Sequence, residues 1–236
     1  MEWMKIGKCL GELLFPRLCA VCGRRLCLTE DTLCAGCLRD LPRTNYHKRR
    51  HNPCEELFYG RIRPEQLGRA TAFFLYERDS PYKRLLWALK YHRQPEIGRV
   101  MGRLIGRELQ EDAFFDGIDL LVPVPLAEKR LRQRGYNQCA YIVAGLSEAT
   151  GLPAVADALK RTVANESQTR KSRVERQRNV EGIFEAADDG RLAGKHILLV
   201  DDVLTSGSTL IACAAALQGI PGLRLSFLTM ACAKVS

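Results

Sequence analysis

The sequence predicts an α/β fold, a parallel sheet with helices on both faces, preceded by a small zinc-ribbon module. Three observations lead there. Runs such as "LLVPVPL" (120–126) and "ILLV" (197–200) are apolar at every position, as strands buried on both faces must be. Between these runs the apolar residues fall at helical spacing, so strands and helices alternate and the strands run parallel. Finally, six of the ten cysteines crowd into residues 9–37. The division that follows is an N-terminal helix and four-cysteine zinc-ribbon module over 1–40, a linker over 41–68 and the α/β domain over 69–236.

Taken in order, "MEWMKIGKCLGELLF" (1–15) breaks its apolar residues with Lys5, Lys8 and Glu12. It lacks a signal-peptide core and reads as a short amphipathic helix of a cytoplasmic protein. In a reducing compartment clustered cysteines point to metal rather than to disulfides. Cys19-x2-Cys22, eleven residues and Cys34-x2-Cys37 make two knuckles, each offering two thiolates to one tetrahedral Zn2+. Cys27 is a spare thiol between them, and the isolated Cys9, Cys54, Cys139, Cys213 and Cys232 read as small buried hydrophobes. His47 and His51 are remote alternatives as zinc ligands. The stretch 41–67 mixes prolines and charges with few periodic apolar residues, and reads as a surface linker.

From Ala70 the pattern changes. "ATAFFLY" (70–76) is a strand, "SPYKRLLWALKY" (80–91) and "IGRVMGRLIGRELQ" (97–110) are helices, and "IDLLVPVPL" (118–126) is a buried strand ending in prolines. "GYNQCAYIVAGLSEATG" (135–151) is a helix closed by Gly151. The stretch 160–180 is neither apolar nor periodic and reads as a long exposed loop. "KHILLVDD" (195–202) is the next strand, "SGSTLIACAAALQG" (206–219) its helix and "LRLSFLTMACA" (223–233) the last strand.

Composition narrows the function classes. A net charge of +9 favours anionic partners such as phosphates, nucleotides or nucleic acid. No apolar run approaches the roughly 18 residues of a membrane span. Gly194-Lys195 is followed by His196, so no Walker phosphate loop is present.

The chemistry concentrates in "ILLVDDVLTSGST" (197–209). Ligands of open α/β sheets sit at the carboxyl ends of strands, where Asp201 and Asp202 fall. Adjacent carboxylates accept hydrogen bonds from a vicinal diol. The turn that follows offers the hydroxyls of Thr205, Ser206, Ser208 and Thr209, backbone amides and a helix dipole to a phosphate, with Gly207 allowing close approach. A diol site beside a phosphate site has the shape of ribose 5-phosphate. The bland reading is a strand–turn–helix with Ser and Thr caps; paired acids before five cap-like residues argue against it. A second basic cluster, Lys129, Arg130, Arg132 and Arg134, follows the strand at 118–126, either as an anion site or as a solvated helix start.

"ILLVDDVLTSGST" resembles the phosphoribosyl-pyrophosphate signature of type I phosphoribosyltransferases. With "VPVPLAEKRLRQRGYNQ" (122–138), "QTRKSRVERQRNVEGIF" (168–184), "LLWALKY" (85–91), "LPRTNYH" (41–47) and the CxxC pairs, the chain resembles the ComF family of competence-associated proteins over nearly its whole length. The resemblance implies a phosphoribosyltransferase-like sheet that binds phosphoribosyl pyrophosphate with Mg2+. Asp201 and Asp202 would hold the ribose hydroxyls, residues 205–209 the 5-phosphate, and Lys129, Arg130 and Arg134 the pyrophosphate. Arg176, within Arg170–Arg178, would belong to a lid that adds cations to the leaving group, and Lys90 resembles a family position near the site. Some members carry a second CxxC set, of which only Cys54 stands here. Two functions are implied: transfer of a 5-phosphoribosyl group to an unknown acceptor, or binding of single-stranded DNA beside a competence helicase without turnover.

Overall fold

The structure is a computed structural model, in which residues 16–77, 79–162, 183–187 and 190–233 are described. The helix expected over 1–15 lies outside them, as do Cys9, most of the expected loop at 160–180, and Arg176. Along the chain come α1 (Ala35–Arg39), a 3-10 turn (Tyr46–Lys48), α2 (Pro53–Glu56), β1 (Leu67–Tyr76), α3 (Lys83–Tyr91) and α4 (Glu96–Gln110). They are followed by β2 (Leu120–Pro123), α5 (Glu128–Arg134), α6 (Gln138–Thr150) and a small pair of strands, β3 (Leu159–Arg161) and β4 (Phe184–Ala186). The chain closes with β5 (His196–Leu204), α7 (Ser208–Leu217) and β6 (Arg224–Ala233).

Four strands form one parallel sheet in the order β1-β6-β5-β2. Side chains alternate across it: Leu198 and Val200 of β5 join the core under α3, α4 and α6, while Ile197 and Leu199 join the core under α7. A strand buried on both faces favours apolar side chains at every position, as in "ILLV". The sequence predicts that β5 stops on the acids. It runs two residues further, because Val203 and Leu204 pair with Ala231 and Cys232 of β6.

Two further stretches differ from expectation. The segment 41–68 is packed rather than a free linker. The amide of Leu75 donates to Pro42 and that of Thr44 to Phe73, fastening it to the edge of β1. Phe58 stacks on Phe227 with ring centroids 4.2 Å apart. Asn52 Oδ1 caps α2 while its Nδ2 donates to Ala70. The loop expected over 160–180 begins inside a strand, since Leu159–Arg161 pairs antiparallel with Phe184–Ala186.

α4 and α6 meet through glycines. A methyl group on Gly102 would come within 2.2 Å of the Ile142 carbonyl oxygen, and one on Gly145 within 2.0 Å of the Arg99 carbonyl. The close approach sets α6 tightly against α4, and Ile142, Val143 and Leu146 of α6 share a core with Leu198 and Val200 of β5.

Candidate functional site

The carboxyl ends of all four strands open into one cleft of about 1220 Å³, lined among others by Tyr76, Val124, Asp201, Asp202 and Ala233. Asp201 and Asp202 are both buried there. Asp201 Oδ1 accepts the Asp202 amide at 2.8 Å and the Cys139 thiol at 3.3 Å. Burial, and then the charge of Asp202, push the Asp201 carboxyl up to about 6. Burial also pushes the Cys139 thiol far up, with both carboxylates adding to the effect, which keeps it protonated and able to donate. Asp202 Oδ1 meets Lys90 Nζ at 3.0 Å. Its other oxygen, Oδ2, is buried without a hydrogen-bond partner among the described residues. An orphaned buried acceptor is costly unless a donor arrives.

Beyond β5 the chain turns sharply through Thr205 and Ser206 into α7. Gly207, at φ 73°, is its N-cap, and no side chain among the described residues caps the helix. The Ser and Thr residues therefore do not serve as caps. Ser206 and Ser208 hydrogen-bond each other at 2.8 Å, leaving the first amides of α7 open to an anion. Thr205 and Thr209 line the cleft, whereas Ser206, Gly207 and Ser208 form the turn beside it.

Opposite stands α5. Arg130, Gln133 and Arg134, which share one side of that helix, line the cleft. Lys129 is exposed and is not among the lining side chains. Arg132 turns back to Glu128 at 2.5 Å. The segment "RGYNQC" ties α5 to the acids. Gly135 ends the helix in the left-handed region, the Tyr136 hydroxyl donates to Leu89 in α3, and Asn137 Nδ2 donates to Val124 while its Oδ1 caps α6 at Cys139. Arg161 enters from β3, and Lys83, Trp87, Lys90 and Tyr91 enter from α3. Sequence reasoning missed Cys139, Arg161, Trp87 and Tyr91. The two aromatic residues left a signal, since they stand on the face of "LLWALKY" opposite its leucines.

The cysteine knuckles converge as expected. The Sγ atoms of Cys19, Cys22, Cys34 and Cys37 all lie within 4.8 Å of one another, with Cys22 and Cys34 3.7 Å apart. Four sulfurs at 2.3 Å from a tetrahedral centre stand roughly 3.8 Å apart, so the group can hold a metal ion such as zinc. The amides of Cys34 and Cys37 donate to Cys19 Sγ and Cys34 Sγ at 3.4 Å, favouring thiolates. Glu30 organises the short span between the knuckles by accepting from the amides of Cys27 and Ala35 and from Arg24. His47 and His51 point elsewhere, to Asp112 and Tyr59, and Cys54 is buried outside the group. The module rests on α3 and its approach: the Tyr82 hydroxyl donates to Cys37 and Arg84 to Val21, each at 2.9 Å. No described helix is long and apolar enough to cross a membrane.

A parallel sheet with paired acids and an uncapped Ser-Gly turn at its carboxyl edge defines the class of phosphoribosyltransferase-like domains. Residues 89–225, more than half of the chain, match the family model for the phosphoribosyl transferase domain. The chain belongs to that family and, within it, to the ComF group of competence and DNA-utilization proteins. It is 31% identical over 195 residues to DNA utilization protein YhgH of Escherichia coli K12, covering 81% of this chain and 80% of that one. Against competence protein F of Haemophilus influenzae it is 26% identical over 200 residues, covering 81% and 86%. Among solved structures, glutamine phosphoribosylpyrophosphate amidotransferase from B. subtilis matches 57% of this chain and 26% of its own, at 20% identity and a TM-score of 0.38.

Proposed function

We propose that the cleft binds phosphoribosyl pyrophosphate and that the chain transfers its 5-phosphoribosyl group to an acceptor during the uptake and handling of DNA. The observation that carries this reading is Asp202. A buried carboxylate with one oxygen unpartnered, beside Asp201 and next to an uncapped helix N-terminus, suits a ligand with hydroxyl donors at one end and a phosphate at the other. In this reading Asp201 and Asp202 hold the ribose hydroxyls and residues 205–209 the 5-phosphate. Arg130 and Arg134 face the pyrophosphate, with Arg176 expected to add charge as it departs. The bond from ribose C1 to the pyrophosphate oxygen breaks, a bond from C1 to the acceptor forms, and the acceptor gives up its proton. The carboxylates of Asp201 and Asp202 would suit an Mg2+ ion arriving with the pyrophosphate, which would supply hard-cation neutralisation of its charge. Cys19, Cys22, Cys34 and Cys37 hold one structural Zn2+, so elemental analysis should find about one zinc per chain. The names of the relatives support the association with DNA uptake.

Isothermal titration tests the ligand. Asp201→Asn together with Asp202→Asn should weaken binding by about 2 kcal/mol or more, roughly thirtyfold, because charged hydrogen bonds contribute about 1.5–3 kcal/mol each. An unchanged titration in a folded double variant removes the diol role.

The net charge of +9 favours a second reading, binding of single-stranded DNA beside a helicase without turnover. If the cleft holds the strand, affinity should fall by about 0.7 log units per tenfold salt for each phosphate neutralised. Arg130→Ala with Arg134→Ala should then reduce that slope by about one or more, and phosphoribosyl pyrophosphate should compete. DNA binding indifferent to both moves the nucleic-acid contact away from the cleft.

A further inference from the structure

The acid pair has a third neighbour. Cys139 stands in the first turn of α6, and its Sγ lies 3.3 Å from Asp201 Oδ1. One ligand atom from each of Cys139, Asp201 and Asp202 falls within 4.8 Å of the others, and all three residues are buried. Hydrogen bonds hold these donors in place. The Asp202 amide fixes Asp201 Oδ1 at 2.8 Å, Lys90 Nζ holds Asp202 Oδ1 at 3.0 Å, and Asn137 Oδ1 accepts from the Cys139 amide. Asp202, only 5% exposed, keeps its Oδ2 without a partner among the described residues.

We propose that Cys139, Asp201 and Asp202 form a second metal site, for a thiophilic divalent ion of the zinc class, and that this ion excludes the phosphoribosyl ligand from the cleft. Only the exclusion rests on the reading of the acid pair as the ribose site; the donor set stands without it. Spacing fits an ion. Bonds of about 2.3 Å to sulfur and about 2.1 Å to oxygen place tetrahedral donors roughly 3.4–3.6 Å apart, close to the separation of Cys139 from Asp201. Donor chemistry selects which ion. Mg2+ takes oxygen ligands, whereas one thiolate with two carboxylates suits a borderline ion such as Zn2+ or Co2+. An Mg2+ ion would arrive with the pyrophosphate, while this one takes the place of the ribose. Charge agrees as well. Two carboxylates, one thiolate and the Lys90 ammonium sum to two negative charges, which one divalent ion cancels. As the metal–sulfur bond forms, the thiol proton leaves to solvent, since a coordinating thiol is deprotonated outright. The first turn of α6 favours the thiolate that results. Three protein ligands leave a fourth position to water, unlike the closed set of four cysteines. Bound there, the ion occupies the free oxygen of Asp202 that the ribose hydroxyls need.

Co2+ is the probe, because sulfur bound to it gives a charge-transfer band in the near ultraviolet that oxygen ligands do not. The full chain is first given one equivalent of Zn2+, which fills the cysteine module, and is then titrated with Co2+. A further equivalent should bind and raise the band. Cys139→Ala and Cys139→Ser should both abolish it and weaken cobalt binding by about tenfold or more, the loss that even an outer-shell partner brings. Elemental analysis should find the module's zinc unchanged in both variants. A large excess of Mg2+ should leave the band intact. Ribose 5-phosphate, which lacks the chelating pyrophosphate, should bleach it. The site is overturned if the zinc-filled parent shows no band, if the band persists in both Cys139 variants, or if Mg2+ erases it. If the band depends on Cys139 yet saturating ribose 5-phosphate leaves it intact, the acid pair does not hold the ribose. The reading of the cleft then fails, the exclusion fails with it, and the metal site stands.

Discussion

Asp201 is pulled two ways by its surroundings. Burial and the neighbouring charge raise its pKa from 3.8 to about 6, while the Asp202 amide and the Cys139 thiol donate to its oxygen and oppose the rise. A carboxyl whose folded value is raised contributes stability that is fully present below its unfolded value and is lost as pH rises through the folded one. Asp201→Asn stays neutral and escapes that loss. From about pH 4 to about pH 7 the stability difference should therefore move in favour of the variant by about 1–3 kcal/mol, as read from urea unfolding. A difference independent of pH would mean that Asp201 titrates like a surface carboxylate. Ligand binding carries the opposite sign, because hydroxyl donors favour the ionised form. Affinity for phosphoribosyl pyrophosphate should climb through about pH 6 and flatten in Asp201→Asn. Cys139→Ala removes a donor to the carboxylate and should displace the profile to higher pH, while Cys139→Ser should restore it. If Ala and Ser give the same profile, the thiol does not position Asp201.

Among the elements, the contact of α4 with α6 is the least forgiving. Gly102→Ala and Gly145→Ala each drive a methyl group into a backbone carbonyl. Backbone cannot step aside as a side chain tip can, so each should cost about 1–3 kcal/mol or more. Gly219 has open space around it and ordinary backbone angles, so Gly219→Ala should be neutral or slightly stabilising. Chemical denaturation of the three variants checks the contrast; equal costs would mean that the helices do not meet through their glycines. The main elements were legible because burial on both faces writes uniform strands, and one-sided burial writes helical periodicity. β3 and β4 were not, since three residues such as "LKR" and "FEA" are too short to show a period. Nor was the packing of 41–68, where Phe58 and Ile62 sit among prolines and charges and no repeat announces them. The same limit applies to the site. Asp201 and Asp202 were legible as vicinal acids after an apolar run. The Cys139 contact joins residues 62 apart in sequence, and only the close packing of α6 on the sheet creates it.

At the scale of the whole molecule, the cysteine module shares the main core. Cys19, Val21, Leu26 and Leu33 belong to the same hydrophobic cluster as Leu85, Met101 and Leu198. A module with a core of its own would melt alone. This one should not: stripping the metal should lower the single main unfolding transition in calorimetry and leave no separate low-temperature step. A main transition unmoved by chelation would make the module an independent unit.

The short helix α3 joins these scales. At its start Arg84, preceded by Tyr82, holds the cysteine loops, and near its end Lys90 reaches Asp202. We therefore expect a disturbance of the sulfurs to reach a carboxylate in the cleft through this helix. A chelator selective for zinc over Mg2+ would then pass for a weak inhibitor in a binding assay, lowering affinity although nothing competes for the cleft. Adding back zinc would reverse such false inhibition, whereas extra ligand would merely mask it.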